Sequence, residues 1–257
     1  MALIDFHFPH SKLTAQTAMS KHLQNDVELL HRRLMSVFGI VEQMIDKAVR
    51  ALCEQHVELA DEVIATDTQV NQAEVEIEED CLKILALHQP VAADLRRVTT
   101  VLKINSDLER IADLACNIAE RAQCMHEHPY FPIPNQLPEM VRQSTTMVRL
   151  ALDSFVDSDV ALAKQVISLD AAVDANNLAV INELQSLMKQ DSSLVVPALH
   201  CFSASRHVER IADHAENIAE DVIYLVEGEI IRHRHGHFVD GELADQIGKN
   251  LERGPHL

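Results

Sequence analysis

Residues 109–120 read ERIADLACNIAE and residues 209–220 read ERIADHAENIAE, one phrase set down twice one hundred residues apart and altered only at positions 114/214 and 116/216. Each residue of an α-helix advances by about 100°, so Glu109, Asp113 and Asn117 form a gently drifting polar stripe to which Glu120 returns. Leu108, Ile111, Ala115, Ile118, Ala119 and Ala122 fall mostly on the other side. The phrase therefore predicts an amphipathic helix whose oxygen-bearing side chains face away from the core, present once in each half of the chain.

The duplication extends further. VELADEVIATDTQV at 57–70 matches VALAKQVISLDAAV at 160–173, with identities that include Asp67/Asp170 and Val70/Val173, now at an offset of 103. Apolar residues recur at steps of three or four almost everywhere, as in Leu30, Leu34, Val37, Val41, Ile45, Val49 and Leu52. This spacing predicts helices over about 21–55, 57–86 and 91–125, with Pro90 in the first turn of the third. Four prolines between Pro129 and Pro138 then interrupt helical backbone. The pattern restarts over about 139–156. A DSD capping signal at 157–159 opens a helix to about 189, and a DSS signal at 191–193 opens the last long one.

The predicted fold is all-α: two tandem three-helix bundles related by pseudo-two-fold symmetry, their later helices about 30 residues and hence ~45 Å long. The expected divisions are a first bundle at 20–127, a proline-rich linker at 128–138, a second bundle at 139–233 and a loosely ordered His-rich tail at 234–257.

Composition removes several functional classes. Only six glycines occur in 257 residues, with none between Gly39 and Gly228, so that stretch holds no phosphate-cradling or dinucleotide-binding loop. A net charge of −18 argues against a nucleic-acid partner and favours cations. From Ala51 to Leu82 there is no Lys or Arg, while ten acids crowd the same interval. The five cysteines are odd in number, lack CxxC spacing and sit in apolar periodic segments, as reduced buried thiols do. No stretch has the length and apolarity of a membrane span, and Asp5 interrupts the N-terminal apolar residues where a signal peptide needs its core. A soluble, cytoplasmic protein is expected.

Carboxylates four residues apart repel on a bare helix, and a bound cation reverses that sign. The preceding helix offers a facing stripe in each half: Asp67, Asn71, Glu74 and Glu78 in the first, and Asp170, Asp174 and Asn177 in the second. Oxygen-rich clusters of this kind suit iron, manganese, magnesium or calcium better than zinc or copper. Solvated surface charge is the alternative, with Arg110 and Arg210 as ordinary ion-pair partners. His214 has Leu114 as its counterpart and reads as a satisfied surface histidine. His233, His235 and His237 form a run that can chelate metal without a role. Asn117 and Asn217 are further candidate ligands. No Ser/His/Asp or Cys/His arrangement can be inferred, so enzymatic activity is the weaker reading, as a carboxylate oxidase or phosphate-ester hydrolase.

At DTQVN (67–71), LALHQPVAADLRRV (85–98), DLERIADLACNIAERA (107–122) and RHVERIADHAENIAE (206–220), the chain closely resembles the PhoU family of phosphate-transport regulatory proteins. The resemblance covers about residues 20–235. It implies two three-helix bundles whose paired helices bind metal ions, iron clusters first, with manganese, magnesium or zinc as alternatives. Carried onto this sequence, one site would use Asp67, Asn71, Glu109 and Asp113, and the other Asp170, Asp174, Glu209 and Asp213. Asn71 departs from the acidic pattern and lowers the ligand charge of the first. The resemblance further implies a non-enzymatic, homodimeric, cytoplasmic negative regulator of phosphate uptake and of the phosphate-starvation response. Its partners would be the ATPase subunit of the phosphate ABC transporter and the sensor histidine kinase of the phosphate system, so that it meets the membrane only through them.

Overall fold

A computed structural model describes residues 21–230. Six long helices follow one another: α1 Lys21–Glu54, α2 Val57–His88, α3 Ala92–Met125, α4 Gln136–Asp157, α5 Val160–Gln190 and α6 Val195–Glu227, with a single 3₁₀ turn at Ser192–Leu194 before the last. The helices form where the apolar spacing predicts them. In α1 the buried positions Leu23, Val27, Leu30, Leu34, Val37 and Val41 are the periodic ones, and the charged residues between them lie outside.

Helices α1, α2 and α3 pack on one another as the first bundle, and α4, α5 and α6 as the second. Antiparallel register between α1 and α2 is held at the surface by Asp26 with His88 at 2.8 Å, Arg33 with Asp80 at 2.6 Å and Lys47 with Glu62 at 2.8 Å. The bundles meet chiefly through α3 and α6, the two helices that carry the repeated phrase. Beside that junction α1 and α4 touch more lightly, where the His31 and Phe155 rings lie 4.9 Å apart and Arg149 Nε donates to Glu42 at 2.9 Å.

The crossing of α3 and α6 is antiparallel. Arg96 Nε donates to the Leu225 carbonyl at 3.3 Å, Lys103 Nζ to Asp221 at 2.8 Å, and the His214 ring lies 2.8 Å from Asp107. Ala112, Ala115 and Ala119, with Ala212, Ala215 and Ala219, are wholly buried. Small side chains on both helices let their axes approach. The pairings also explain one of the two differences within the repeat. His214 replaces a leucine because it faces the other bundle and meets Asp107 there; it is half-buried in a contact rather than a surface histidine.

Several boundaries differ from the sequence expectation for local reasons. Helix α2 ends in a left-handed turn at Gln89, φ 44°, and Pro90 stands before the N-cap Val91 rather than inside the first turn of α3. Helix α4 starts at Gln136, upstream of the expected 139, and accepts Pro138 because the first turn lacks N–H acceptors in any case. The segment before it is tied down: Gln55 Nε2 donates to the Pro129 carbonyl at 3.2 Å, and Phe131, Pro134 and Leu137 are buried. The DSD signal caps α5 as expected, whereas the aspartate of DSS caps the 3₁₀ turn Ser192–Leu194 and α6 itself starts from Leu194 with no side-chain cap bond. Asp159 accepts from the amides of Ala161 at 2.8 Å and Leu162 at 3.0 Å, and Asp191 from that of Ser193 at 2.8 Å.

The five thiols are free. Cys81 and Cys201 are buried, while Cys53, Cys116 and Cys124 are half-buried rather than enclosed as expected. Burial pushes Cys53 up to about 11 and Cys81, Cys116 and Cys201 up to about 12, so these four carry little thiolate at neutral pH. No helix among the described residues is long and apolar enough to cross a membrane. The expected tail at 234–257, with His233, His235 and His237, lies outside the described residues.

Two substitutions test this description. Asp159→Ala removes both acceptor bonds at the start of α5 and is expected to lower unfolding stability by about 1 kcal/mol in urea titration. Lys103→Met leaves Asp221, 2% exposed, without its ammonium partner, and a larger loss of about 1–3 kcal/mol is expected.

Candidate metal-binding carboxylate faces

Each bundle presents one oxygen-rich face where its last two helices run side by side. In the first, α2 supplies Asp67 and Asn71, one helical turn apart, and α3 supplies Glu109 and Asp113. Asn71 Nδ2 donates to Asp67 Oδ2 at 2.8 Å, and the Cys116 thiol lies 3.6 Å from Asp67 Oδ1. Arg110 lies across the two acids of α3, its Nε 3.3 Å from Glu109 and its Nη1 3.2 Å from Asp113. Glu109 is 18% exposed. Its carboxyl is held above the usual range by burial first, then by Asp113, with Glu74 and Asp67 adding and Arg110 opposing. The four carboxylates thus share one field, and Glu74, which the resemblance leaves out of the site, contributes to it.

The second face repeats the plan with more charge. Asp170 and Asp174 lie one turn apart on α5, and Glu209 and Asp213 one turn apart on α6. Glu209 is 14% exposed and ion-paired with Arg206. Burial raises its pKa, with Asp213 and Asp174 adding to the effect against Arg206. Asp213, although it reaches solvent, is raised by partial desolvation of its carboxyl and then by Asp174, while His214, Arg206 and Arg210 pull the other way. The guanidinium that pairs with Glu209 is Arg206, one turn upstream, and Arg210 acts on Asp213 only through its field. In α3 the corresponding position is Ser106, which explains why Arg110 serves the first face instead.

Three of the remaining candidates have partners of their own. Asn117 Nδ2 is committed to the Asp113 carbonyl at 2.9 Å, a bond within its own helix. His214 is committed to Asp107. Asn217 is half-buried, and Glu120 pairs with Arg121 at 3.2 Å.

Among the described residues, no three His, Cys, Asp or Glu side chains already converge as a metal ion requires. The donor chemistry nevertheless fits a hard cation. Three of the carboxylates are pushed towards protonation by burial and by one another, and Arg110 and Arg206 now supply the positive charge an ion would bring. Oxygen donors of this kind match iron, manganese or magnesium, and match zinc least. The second face offers four carboxylates and the first three with an amide, so the second is the stronger half.

The sequence and fold comparisons agree with this architecture. The PhoU domain model matches twice, over residues 34–122 and 137–222, one match per bundle. The chain belongs to the PhoU family. A phosphate-specific transport system accessory protein PhoU homolog from Aquifex aeolicus is 43% identical over 217 residues, covering 83% of this chain and 96% of the relative. The Escherichia coli accessory protein PhoU is 33% identical over 239 residues, covering 91% and 98%. The crystal structure of PhoU from Pseudomonas aeruginosa superposes with a TM-score of 0.78 at 38% identity, covering 80% of this chain and all of the other. The PhoU family is one of accessory regulatory proteins rather than enzymes. Six helices in two repeats, the arrangement expected from the duplicated phrase, are the PhoU fold.

The raised carboxyls fix how stability responds to pH. For Asp213, whose unfolded value is 3.8, the stabilising contribution is complete below that value and is lost as pH rises through the higher folded one. With chelator present, Asp213→Asn is therefore expected to melt above wild type at neutral pH and alongside it at the acid end. Added manganese or ferrous iron should raise the wild-type midpoint and leave the variant nearly unmoved. A variant that melts below wild type at neutral pH would contradict this account of the second face.

Proposed function

We propose that this protein is a cytoplasmic accessory regulator of phosphate-specific uptake that restrains transport and the phosphate-starvation response when phosphate is plentiful. The observation that carries the reading is the match of both bundles, over nearly the whole length of the relatives, to accessory proteins of phosphate-specific transport. A helical body with long acidic faces is suited to docking by surface complementarity. Its partners are the ATPase subunit of the phosphate ABC transporter and the phosphate sensor histidine kinase, and the working form is a homodimer.

The carboxylate faces serve this role as cation sites. Asp67, Asn71, Glu109 and Asp113 would hold an ion between α2 and α3, and Asp170, Asp174, Glu209 and Asp213 one between α5 and α6. Bound metal, iron before manganese or magnesium, supplies positive charge that relieves carboxylate repulsion and ties the two helices of each face together. Arg110 and Arg206 would be released from the acids as the ion enters.

The experiment is alkaline phosphatase activity in phosphate-replete cells lacking this gene, complemented with wild type or with Glu109, Asp113, Glu209 and Asp213 all changed to Ala. Wild type is expected to silence the enzyme and the folded quadruple variant to fail. Silencing by both would leave the adaptor role and remove the metal from it. Silencing by neither would overturn the regulatory reading.

A further inference from the structure

The crossing of α3 and α6 brings together two copies of one helix, yet its two ends are chemically unlike. A residue of α3 has its counterpart one hundred positions later on α6. The pair Lys103–Asp221 thus has Arg121–Ser203 as its pseudo-symmetric image, and the pair Asp107–His214 has Leu114–His207. At the first end each cation meets a carboxylate, Lys103 on Asp221 and His214 beside Asp107, both at 2.8 Å. At the other end basic side chains stand where the first end has its carboxylates, Arg121 for Asp221 and His207 for Asp107, and the places of Lys103 and His214 are taken by Ser203 and Leu114, neither of which supplies an acid.

What remains there is a cluster of donors. Arg121 is 31% exposed and pairs through Nη2 with Glu120 at 3.2 Å, while its Nε is buried with no hydrogen-bond partner among the described residues. Ser203 Oγ lies 3.3 Å from His207 Nε2. If that nitrogen accepts from the hydroxyl, Nδ1 carries the proton, and Nδ1 is likewise buried without a partner. His200, half-buried one turn before Ser203, is depressed by burial and then by the charges of Arg121 and His128, with Glu127 opposing, so these groups lie within one another's field. An orphaned guanidinium N–H and an orphaned ring nitrogen mark a place that lacks a partner.

We propose that Arg121, His200, Ser203 and His207 form a binding site for a tetrahedral oxyanion of the phosphate class, with inorganic phosphate as its ligand. The anion supplies the negative charge that this end of the crossing lacks, beside Ser203 and opposite Arg121 and His207. It receives the Arg121 fork and the imidazole donors and joins α3 of one bundle to α6 of the other. Glu120 and Glu127 on the exposed rim favour phosphate over sulfate, because they can accept a hydrogen bond from a protonated phosphate oxygen and they repel an oxyanion that carries no proton. The site deepens the regulatory reading above by supplying a ligand through which phosphate would act on the relation between the bundles.

The test is calorimetric titration of the full chain with inorganic phosphate, chelator being present throughout so that metal on the acidic faces contributes nothing. Wild type is expected to bind, and to bind sulfate more weakly. Arg121→Gln is expected to weaken phosphate binding by about 10- to 100-fold. Ser203→Asp guards against a folding artefact, since it sets a carboxylate opposite Arg121 as Asp221 is set opposite Lys103. That variant is expected to melt at or above the wild-type temperature and to lose phosphate. No binding by wild type, undiminished binding by both variants, or equal affinity for sulfate overturns the proposal. Phosphate bound by a wild type that fails to silence alkaline phosphatase would sink the regulatory reading and leave this site standing.

Discussion

The packing of α3 against α6 is the constraint on which the rest of this molecule depends. Each of these helices must bury one side in its own bundle and another against its duplicate, leaving a narrow sector for polar groups. Alanine at 112, 115, 119 and their counterparts satisfies the double burial, since a larger side chain would separate the helices that everything else is hung from. The same geometry explains why carboxylates occur where they do. Glu109, Asp113, Glu209 and Asp213 lie towards α2 or α5, whereas Lys103, Asp107, His214 and Asp221 lie towards the opposite bundle.

That division gives the repeated acids their physical meaning. Glu109 and Glu209 are largely shielded from solvent, and Asp113 and Asp213 stand one turn away, so the chain bears the repulsion instead of relieving it with neutral side chains. Arginine compensates in different ways on the two sides. Arg110 reaches both acids of the first face, while Arg206 reaches one acid of the second and leaves Asp213 raised. With Asp174 where the first bundle has Asn71, the second face keeps more uncompensated charge and gains more from a cation. The asymmetry follows from two positions, Asn71 against Asp174 and Ser106 against Arg206, and needs no difference in fold.

Much of this was legible in the sequence because helical periodicity is a local signal. The six helices, the double repeat, the aspartate cap of α5 and the acid stripes all arise within a few turns of backbone, and the structure places them where the spacing predicts. The discrepancies are equally local in cause: the spacing puts Pro90 in the first turn of α3, where it lies outside, and leaves Pro138 in the linker, whereas the first turn of α4 holds it. Contacts between the bundles were not legible. His214 looked like a surface residue because nothing in its own helix shows that Asp107, on the other bundle, lies 2.8 Å away. The spacing does not separate Arg206 from Arg210, because periodicity indicates which side a residue occupies but not which of two neighbouring arginines extends to the acid.

A signal for the bundle contact was nonetheless present in the comparison of the two halves. Where duplicated helices cross antiparallel, a position that differs between copies changes both ends of the crossing at once, in opposite senses. Lys103 against Ser203 and Arg121 against Asp221 are two such positions, and together they place an ion pair between the bundles at one end and, at the other, an arginine whose ion-pair partner, Glu120, lies on its own helix. Had both pairs been retained, the crossing would be held equally at each end by interactions internal to the chain. Retaining one makes it fixed at the Lys103 end and open to a solute at the Arg121 end, so any anion that binds there acts on the angle between the bundles with the Lys103–Asp221 pair as its pivot. The carboxylate faces, by contrast, each act within a single bundle, and a cation there can stiffen α2 against α3 or α5 against α6 without altering how the halves are set. Cation and anion would therefore bear on different mechanical elements of the same six helices.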